Sequence, residues 1–278
     1  MRLLLWTLVL LSVSGGVLVS GTKDVSAAAA QEIEITADKS LEWYQEQNLY
    51  VARGNAKAVQ GDFTVAADLL TAHKRDDTAK KSVKENKGVG SGDIDRMTAE
   101  GNVVILKGSG KILGERAVND VDQNVLVVTG NNLRYESDGQ VVTAKDSMEY
   151  WHEKKLAVAR GHAIAVKGEN HIAGDILTAE FKPGPEGKDA LDKITANGKV
   201  TVLTKNDTVR GDNGVYDALR DTAVITGNVH IARADGTELS GDVGEVNFIT
   251  NQSRLLNDGS GRVRALLPSK SRSKAGGK

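Results

Sequence analysis

An acidic residue that recurs about every thirty positions constrains the fold of this chain more than any other feature of its sequence. Six copies are aspartate and one is glutamate, and in four copies a glycine follows after 15 or 16 positions. The acidic residues are Asp38, Asp68, Glu115, Asp146, Asp175, Asp212 and Asp242, and the four glycines are Gly54, Gly130, Gly161 and Gly227. Self-similarity at a fixed period indicates one supersecondary unit that is repeated along the chain.

One unit, residues 210–231, shows what is repeated. A short strand is predicted over 211–216, opened by Gly-Asp, and a polar turn is predicted over 217–221. The β-branched segment 222–226 then leads through the repeat glycine into a further strand over 229–231. Alternation of apolar and polar residues with period two, bounded by Gly, Asn and Asp, is typical of strands that are joined as hairpins.

The turns within the units decide how neighbouring strands pair. They are four or five polar residues long, at 45–48, 152–155, 217–221 and 250–254. So short a link joins antiparallel strands, whereas parallel neighbours need a crossover of about a dozen residues. We therefore predict an all-β fold with one long, twisted antiparallel sheet of about 14 to 16 strands. A sheet of that length folds over itself, which predicts a β-jelly-roll, a V-shaped sandwich with an apolar interior.

The interior of this sandwich is predicted to be lined by small and β-branched side chains. The candidates are the residues two and four positions after a repeat glycine or after the equivalent Gly101 and Gly198, and the residues three positions before a repeat glycine. Residues two and four positions after the glycine share one face, because alternate residues of a strand face the same way. Aromatic residues make up only 4% of the chain, so this interior is either narrow or leaves space for a ligand. The candidates for an apolar groove are Val51, Ala56, Val103, Ile105, Val127, Val158, Val200, Val202, Val224, Val229 and Ile231.

The two edges of such a sheet are predicted assembly sites. Ile33 and Ile35 mark the first edge, and Val246 and Phe248 mark the last one. Neither segment contains a proline or a run of lysines, which are the usual means of blocking an edge strand. Because the two edges differ, their joining is head-to-tail and produces a linear chain of molecules.

The ends of the chain and one insertion differ in composition from the repeats. Residues 1–30 combine Arg2, an apolar run and an alanine-rich exit, which is typical of a secretory signal peptide. A retained membrane anchor is the alternative, since the apolar run approaches the roughly 20 residues that span a bilayer. The repeat domain is predicted over 31–267, with a polar surface loop at 73–95. Residues 268–278 are basic and are predicted to be disordered.

No residue pattern in the chain points to an enzyme, a metal or a cofactor. Cysteine is absent, and the five histidines are scattered without metal-ligand spacing. No nucleophile elbow or paired-carboxylate spacing is found. The net charge of −1 indicates no nucleic-acid partner. We predict that the repeated aspartates accept backbone N–H bonds in turns at strand starts, because they belong to separate units.

Two pairs of segments resemble a known repeat. The residues Ala-Asp-Lys-Ser-Leu-Glu-Trp-Tyr at 37–44 with Val-Ala-Arg-Gly-Asn at 51–55 form one pair. The residues Gly-Asp-Asn-Gly-Val-Tyr at 211–216 with Ile-Thr-Gly-Asn-Val at 225–229 form the other. Both resemble the OstA-like repeat of the LptA family, which includes the periplasmic bridge protein of lipopolysaccharide transport and the N-terminal domain of its outer-membrane partner. The resemblance covers residues 32–256.

The resemblance implies a β-jelly-roll whose apolar groove shields the lipid A acyl chains of lipopolysaccharide in the periplasm. It places such a protein between an inner-membrane adaptor and an outer-membrane barrel, which would dock on the edge strands. The first alternative is a membrane-anchored adaptor of the same system, which applies if the N-terminal segment is retained. The second is a secreted polysaccharide-binding β-solenoid, but its stacked aromatic residues and converging carboxylates are not found in the sequence.

Overall fold

The computed structural model describes residues 33–75, 94–184, 189–257 and 262–268 of the 278-residue chain. These residues form eighteen strands of one sheet and one short 3₁₀ helix. The predicted signal segment, most of the predicted surface loop and the basic tail beyond Pro268 lie outside the described residues.

The strands follow one another along the chain with short connections. Their bounds are β1 (Glu34–Thr36), β2 (Ser40–Tyr44), β3 (Leu49–Gln60), β4 (Phe63–Lys74), β5 (Ile94–Lys107), β6 (Gly110–Asp120), β7 (Val125–Thr129), β8 (Leu133–Ser137), β9 (Gln140–Ala144), β10 (Ser147–Trp151), β11 (Leu156–Lys167), β12 (Asn170–Pro183), β13 (Asp189–Leu203), β14 (Asp207–Asp217), β15 (Thr222–Arg233), β16 (Glu238–Asn247), β17 (Gln252–Leu256) and β18 (Arg264–Leu266). The 3₁₀ helix (Gln45–Gln47) joins β2 to β3.

All pairings between these strands are antiparallel. Eight of the strands are short and form four pairs: β1 and β2, β7 and β8, β9 and β10, and β17 and β18. The two strands of each pair together cross the sheet once, as one pass that is interrupted at a bend. Counted in this way, the chain makes fourteen passes across the sheet. The predicted all-β class and long antiparallel sheet are confirmed. The pairing of the described strands excludes a parallel β-solenoid.

The register between long strands shifts near their middle, and in β3, β11 and β15 this shift lies at the repeat glycine. In β15, Gly227 (φ +78°) and Asn228 (φ +50°) both have left-handed backbone conformations and shift the register against β14 between Arg210 and Asn213. Such a β-bulge bends its strand and increases the local twist. The prediction that Asp212 opens a short strand is wrong, since it lies in the middle of β14. A bulge interrupts the alternation of residues much as a turn does, so the sequence pattern did not separate the two.

The repeated acidic residue and the repeat glycine meet at these bends. Asp212 Oδ2 accepts a hydrogen bond of 2.8 Å from Asn228 Nδ2, and a Cβ at Gly227 would lie 2.5 Å from Asp212 Oδ2. Glycine therefore leaves the space in which the carboxylate lies. The aspartates join two strands at a bend, and the prediction that they act in turns at strand starts is wrong. The same bond recurs as Asp38–Asn55 (2.7 Å), Asp68–Asn102 (2.8 Å) and Glu115–Asn131 (3.0 Å).

The bends divide the sheet into two half-sheets that face each other. The first half-sheet contains 222–226 and the segments paired with it, and the second contains 229–233 and its paired segments. Inward rows of both half-sheets pack in one hydrophobic core, as expected for a jelly-roll. One row of the first half-sheet is Ala52, Leu70, Ala99, Ala117, Val128, Met148, Ala159, Leu177 and Ala196. One row of the second is Ile35, Ala58, Val65, Ile105, Ile112, Tyr135, Val142, Ala165, Ile172 and Val202.

The groove candidates that follow a repeat glycine lie in this core. They share the second half-sheet, and their side chains are almost completely buried. These residues are Ala56, Val103, Ile105, Val200, Val202, Val229 and Ile231.

The groove candidates that precede a repeat glycine each lie one residue before a residue of the hydrophobic core. They form one cross-strand row on the outward face of the first half-sheet, and none belongs to the hydrophobic core. The inward residue is the next one in each case, such as Ile225, because even offsets from the glycine face inward on both sides of the bend. These four candidates are Val51, Val127, Val158 and Val224. Val127 and Val224 are misplaced, whereas Val51 (4% exposed) and Val158 (6% exposed) are buried.

The edges of the sheet are formed by the first and last passes. Ile33 and Ile35 lie at the N-terminal edge, where β1 and β2 pair with β3 and with no other described strand. The predicted C-terminal edge is wrong, because Val246 lies in β16 between β15 and β17, and Phe248 is buried in the following turn. The C-terminal edge is β17 and β18. Polar Ser253 in β17 weakens the apolar alternation that would have marked this strand.

Candidate functional site

At the N-terminal end of the molecule, the half-sheets enclose a cavity of about 330 Å³. Leu70, Met97 and Ala117 line it from the first half-sheet, and Ile35 and Ile105 line it from the second. Its walls are almost entirely apolar. Other apolar wall residues are Ala52, Ala58, Phe63, Val65, Ala72, Ala99 and Leu126. The volume falls in the range of about 300–1,000 Å³ that is usual for ligand pockets.

Three large apolar side chains of this cavity reach the protein surface. Leu41 is 61% exposed, Trp43 is 40% exposed and Tyr50 is 42% exposed. Trp43 and Tyr50 lie opposite each other on β2 and β3, with stacked rings whose centroids are 4.0 Å apart. A hydrogen bond from Ser40 lowers the pKa of neighbouring Glu42, so its carboxylate is ionised at neutral pH. The cavity therefore opens beside stacked aromatic rings and a negative charge.

A second apolar cavity of about 90 Å³ lies in the middle of the molecule. Leu126 lines both cavities, and Met148 and Leu177 are among the other wall residues of the second one. Burial raises the pKa of Tyr150 in this wall to about 12. Burial also lowers the pKa of His152, whose ring meets Tyr150 edge-on at 4.8 Å, to about 4. Tyr150 therefore presents a neutral side chain to this cavity at pH 7.

The C-terminal part of the interior is filled by side chains. Val229, Ile231 and Val246 are less than 2% exposed. The rings of Tyr216 and Phe248 meet edge-on, with centroids 5.5 Å apart. The interior is therefore open at the N-terminal end, narrow in the middle and packed at the C-terminal end.

The structure brings only some of the groove candidates to these cavities. Val51 and Ile105 border the first cavity, and Val158 borders the second. The other eight border neither of the two cavities; they are Ala56, Val103, Val127, Val200, Val202, Val224, Val229 and Ile231.

Sequence reasoning missed the larger side chains that form the walls and the opening. Tyr50, Met97 and Leu126 each lie four positions before a glycine that bends its strand. A search at even offsets before these glycines would have found all three. Trp43 would then have followed as the cross-strand partner of Tyr50.

The lining of the cavities limits what chemistry this interior supports. Among the described residues, no group of three or more His, Cys, Asp or Glu side chains is placed to hold a metal ion. In the same part of the chain, no helix has the length and hydropathy needed to cross a membrane. Apolar walls with few polar atoms bind a ligand by removing its apolar surface from water. Fold and site together define a jelly-roll protein with an open apolar cavity.

Comparison with known proteins agrees with this class. The family model described as "LptA/(LptD N-terminal domain) LPS transport protein" matches residues 34–146 and 142–252. The crystal structure of LptH, described as the LptA homologous periplasmic component of the lipopolysaccharide transport device from Pseudomonas aeruginosa, is 17% identical. That comparison has a TM-score of 0.38 and covers 47% of this chain and 83% of LptH. No curated protein matches the chain. Because the family model spans most of its length, the chain belongs to the LptA/LptD N-terminal family of lipopolysaccharide transport proteins.

Proposed function

We propose that this protein carries lipopolysaccharide through the periplasm, holds its lipid A acyl chains in the apolar interior, and bridges the inner and outer membranes. The observation that carries the proposal is the open apolar cavity in a member of a lipopolysaccharide transport family. The walls at Leu70, Met97 and Leu126 offer apolar contact and no reactive group.

Shielding is needed because exposed acyl chains are costly in water. Each CH₂ group that is moved out of water contributes about 0.8 kcal/mol, so a lipid with several acyl chains does not cross an aqueous space unaided. The first cavity, with the exposed side chains of Leu41, Trp43 and Tyr50 at its opening, offers a continuous apolar surface for such chains. We assign the N-terminal half as the acyl-chain site.

Bridging is proposed to use the two sheet edges. Because the chain crosses the sheet an even number of times, the first and last passes run in opposite directions, and a second molecule can extend the antiparallel sheet. Glu34 and Glu42 lie on the first edge, and Arg254 and Arg264 lie on the last one, so the edges carry opposite charges. The same strand addition would dock an inner-membrane adaptor at one end and an outer-membrane barrel at the other.

A chain that carries both Glu42→Cys and Arg254→Cys is expected to form disulfide-linked linear oligomers on oxidation. The two residues are the ends of one cross-strand row, so they are far apart within one molecule and close together across a head-to-tail junction. Non-reducing electrophoresis and sedimentation velocity measure the product. Each single-cysteine control should stop at a dimer. A monomeric profile at high concentration, without interchain links, would contradict the proposed assembly.

The N-terminal segment is proposed to be a signal peptide that is removed on export. Residues 1–30 lie outside the described residues, so this rests on their sequence pattern. N-terminal sequencing of protein from the native host should begin at or near Gln31. Recovery of Met1 in the membrane fraction would show a retained anchor and would favour the adaptor of the same transport system.

Photo-crosslinking at two adjacent residues tests the acyl-chain site. A photoreactive residue at Leu126 is expected to capture purified lipopolysaccharide, whereas the same residue at Val127 is not. Leu126 borders both cavities, and Val127 lies on the outward row of the same strand. Immunoblotting after irradiation measures the adduct, and thermal unfolding checks that both variants are folded. Equal capture at both positions, or capture at Val127 alone, would overturn the assignment.

A further inference from the structure

The C-terminal end of the molecule contains a polar cleft of about 660 Å³ that differs in character from the acyl-chain site. It is formed by the turn between β13 and β14, the turn between β15 and β16, and the strand β17 with the turn before it. Asp207 and Arg233 come from the second half-sheet, and Ser253 comes from the first. Most of the other side chains that line the cleft carry amide, carboxylate or guanidinium groups.

Two atoms in this cleft are buried without a hydrogen-bond partner among the described residues. They are Ser253 Oγ and Arg233 Nε. Ser253 is only 6% exposed, and Arg233 Nη2 donates a hydrogen bond of 2.8 Å to its carbonyl oxygen. Arg233 Nε lies 3.9 Å from Asp207 Oδ1, which is too far for a hydrogen bond. Buried polar groups are normally paired, so both atoms are unsatisfied groups at the wall of the cleft.

The charges in the cleft argue against an anion. The carboxylates of Asp207, Asp235 and Glu245 outnumber the guanidinium groups of Arg233 and Arg254. Arg254 Nη2 already donates to Glu245 Oε2 at 2.7 Å. A backbone hydrogen bond from Thr237 lowers the pKa of Asp235, so its carboxylate is ionised at neutral pH. A phosphate would therefore meet more negative than positive charge.

We propose that this cleft binds a short oligosaccharide. Each sugar hydroxyl both donates and accepts hydrogen bonds, and the cleft offers carboxylate acceptors, guanidinium donors and amides that do both. The side chains of Asn206, Asn251 and Gln252 supply amides around the two unpaired atoms. The volume suits a ligand of a few sugar units. The identification of this sugar as the saccharide part of the transported glycolipid rests on the proposed function. The assignment of the ligand to the saccharide class does not rest on it.

The proposal is tested by titrating the full-length protein with two lipid-free ligands and following amide NMR signals of the cleft. One is the oligosaccharide that mild acid releases from lipopolysaccharide, and the other is maltotetraose. Saturable shifts with the first alone identify the glycolipid's own sugar, and shifts with both show a general saccharide site; either supports the proposal. Neither ligand has an acyl chain, so the result is independent of the apolar cavity.

Ser253→Ala is expected to weaken saccharide binding about five- to ten-fold, the effect of one lost hydrogen bond, without lowering the unfolding temperature. Stability is retained because Ser253 Oγ has no hydrogen-bond partner among the residues that the structure describes. Arg254→Gln should also weaken binding, since it removes a charged donor from the cleft. Ser240→Ala is the matched control, because Ser240 is exposed and lies outside the cleft. No saturable saccharide binding, saturable binding of inorganic phosphate alone, or undiminished binding by Ser253→Ala would each overturn the proposal.

Discussion

Val229→Asp is expected to destabilise this protein by about 3–5 kcal/mol, the cost of leaving a buried charge without a partner. Val229 is 1% exposed, and its side chain packs directly over Gly244, where an added Cβ would lie 2.9 Å from Val229 Cγ1. A domain of this kind is stable by only about 5–15 kcal/mol, so much of the protein unfolds if its stability is near the lower value. Urea denaturation of the purified variant and the wild type measures the difference.

The pH dependence of this loss has a definite sign. Burial raises the pKa of the introduced carboxyl in the folded state above its unfolded value, so the folded protein binds the proton more tightly. The destabilisation should therefore be smallest near the unfolded pKa of about 4 and should increase as the pH rises.

Val224→Asp is the matched control on the same strand. Val224 is 40% exposed and lies on the outward row next to Glu245, so the same substitution should cost no more than about 1 kcal/mol. Equal losses at Val229 and Val224 would show that the inward register described for β15 is wrong.

Ala117→Phe is expected to abolish capture of lipopolysaccharide while the protein remains folded. Ala117 lines the first cavity between Ala99 and Val128, and the cavity of about 330 Å³ has room for a phenyl ring. The ring would occupy the volume that an acyl chain needs. Filling an apolar cavity conserves or raises stability when the new side chain fits, so the unfolding temperature should not fall.

Val118→Phe is the control for this variant. Val118 follows Ala117 in β6 and pairs with Val127 on the outward row, so its replacement leaves the cavity unchanged. Lipid that co-purifies with the two variants from the periplasm is compared by mass spectrometry. If Ala117→Phe retains as much lipid as Val118→Phe, the acyl chains lie outside the first cavity.

Much of this fold could be predicted from the sequence, because the position of a residue relative to the repeat glycine indicates which face of the sheet it lies on. Short turns such as 217–221 implied antiparallel pairing, and residues at even offsets after each glycine, such as Val229 and Ile231, lie in the core. Val127 and Val224 were misplaced because the prediction used an odd offset before the glycine and even offsets after it. Even offsets face inward on both sides of the bulge at Gly227 and Asn228, so unbroken alternation would have given the correct residues.

The position of the cavity could not be predicted from single strands. It depends on how side chains from distant segments fill the space between the half-sheets, such as Ile35 and Phe63 against Met97. At the other end, Tyr216 and Phe248 fill the corresponding space. The C-terminal edge was missed for a related reason, because β17 is assigned by its pairing with β16 and not by its own apolar pattern.

Mass spectrometry of the lipid bound to wild-type protein from the periplasm tests whether this protein carries lipopolysaccharide. We expect a multiply acylated glycolipid with the mass of lipopolysaccharide or its lipid A part, in a stoichiometric complex that Ala117→Phe does not form. Wild-type protein that is folded and free of lipid, and that captures none when purified lipopolysaccharide is added, would contradict the proposal.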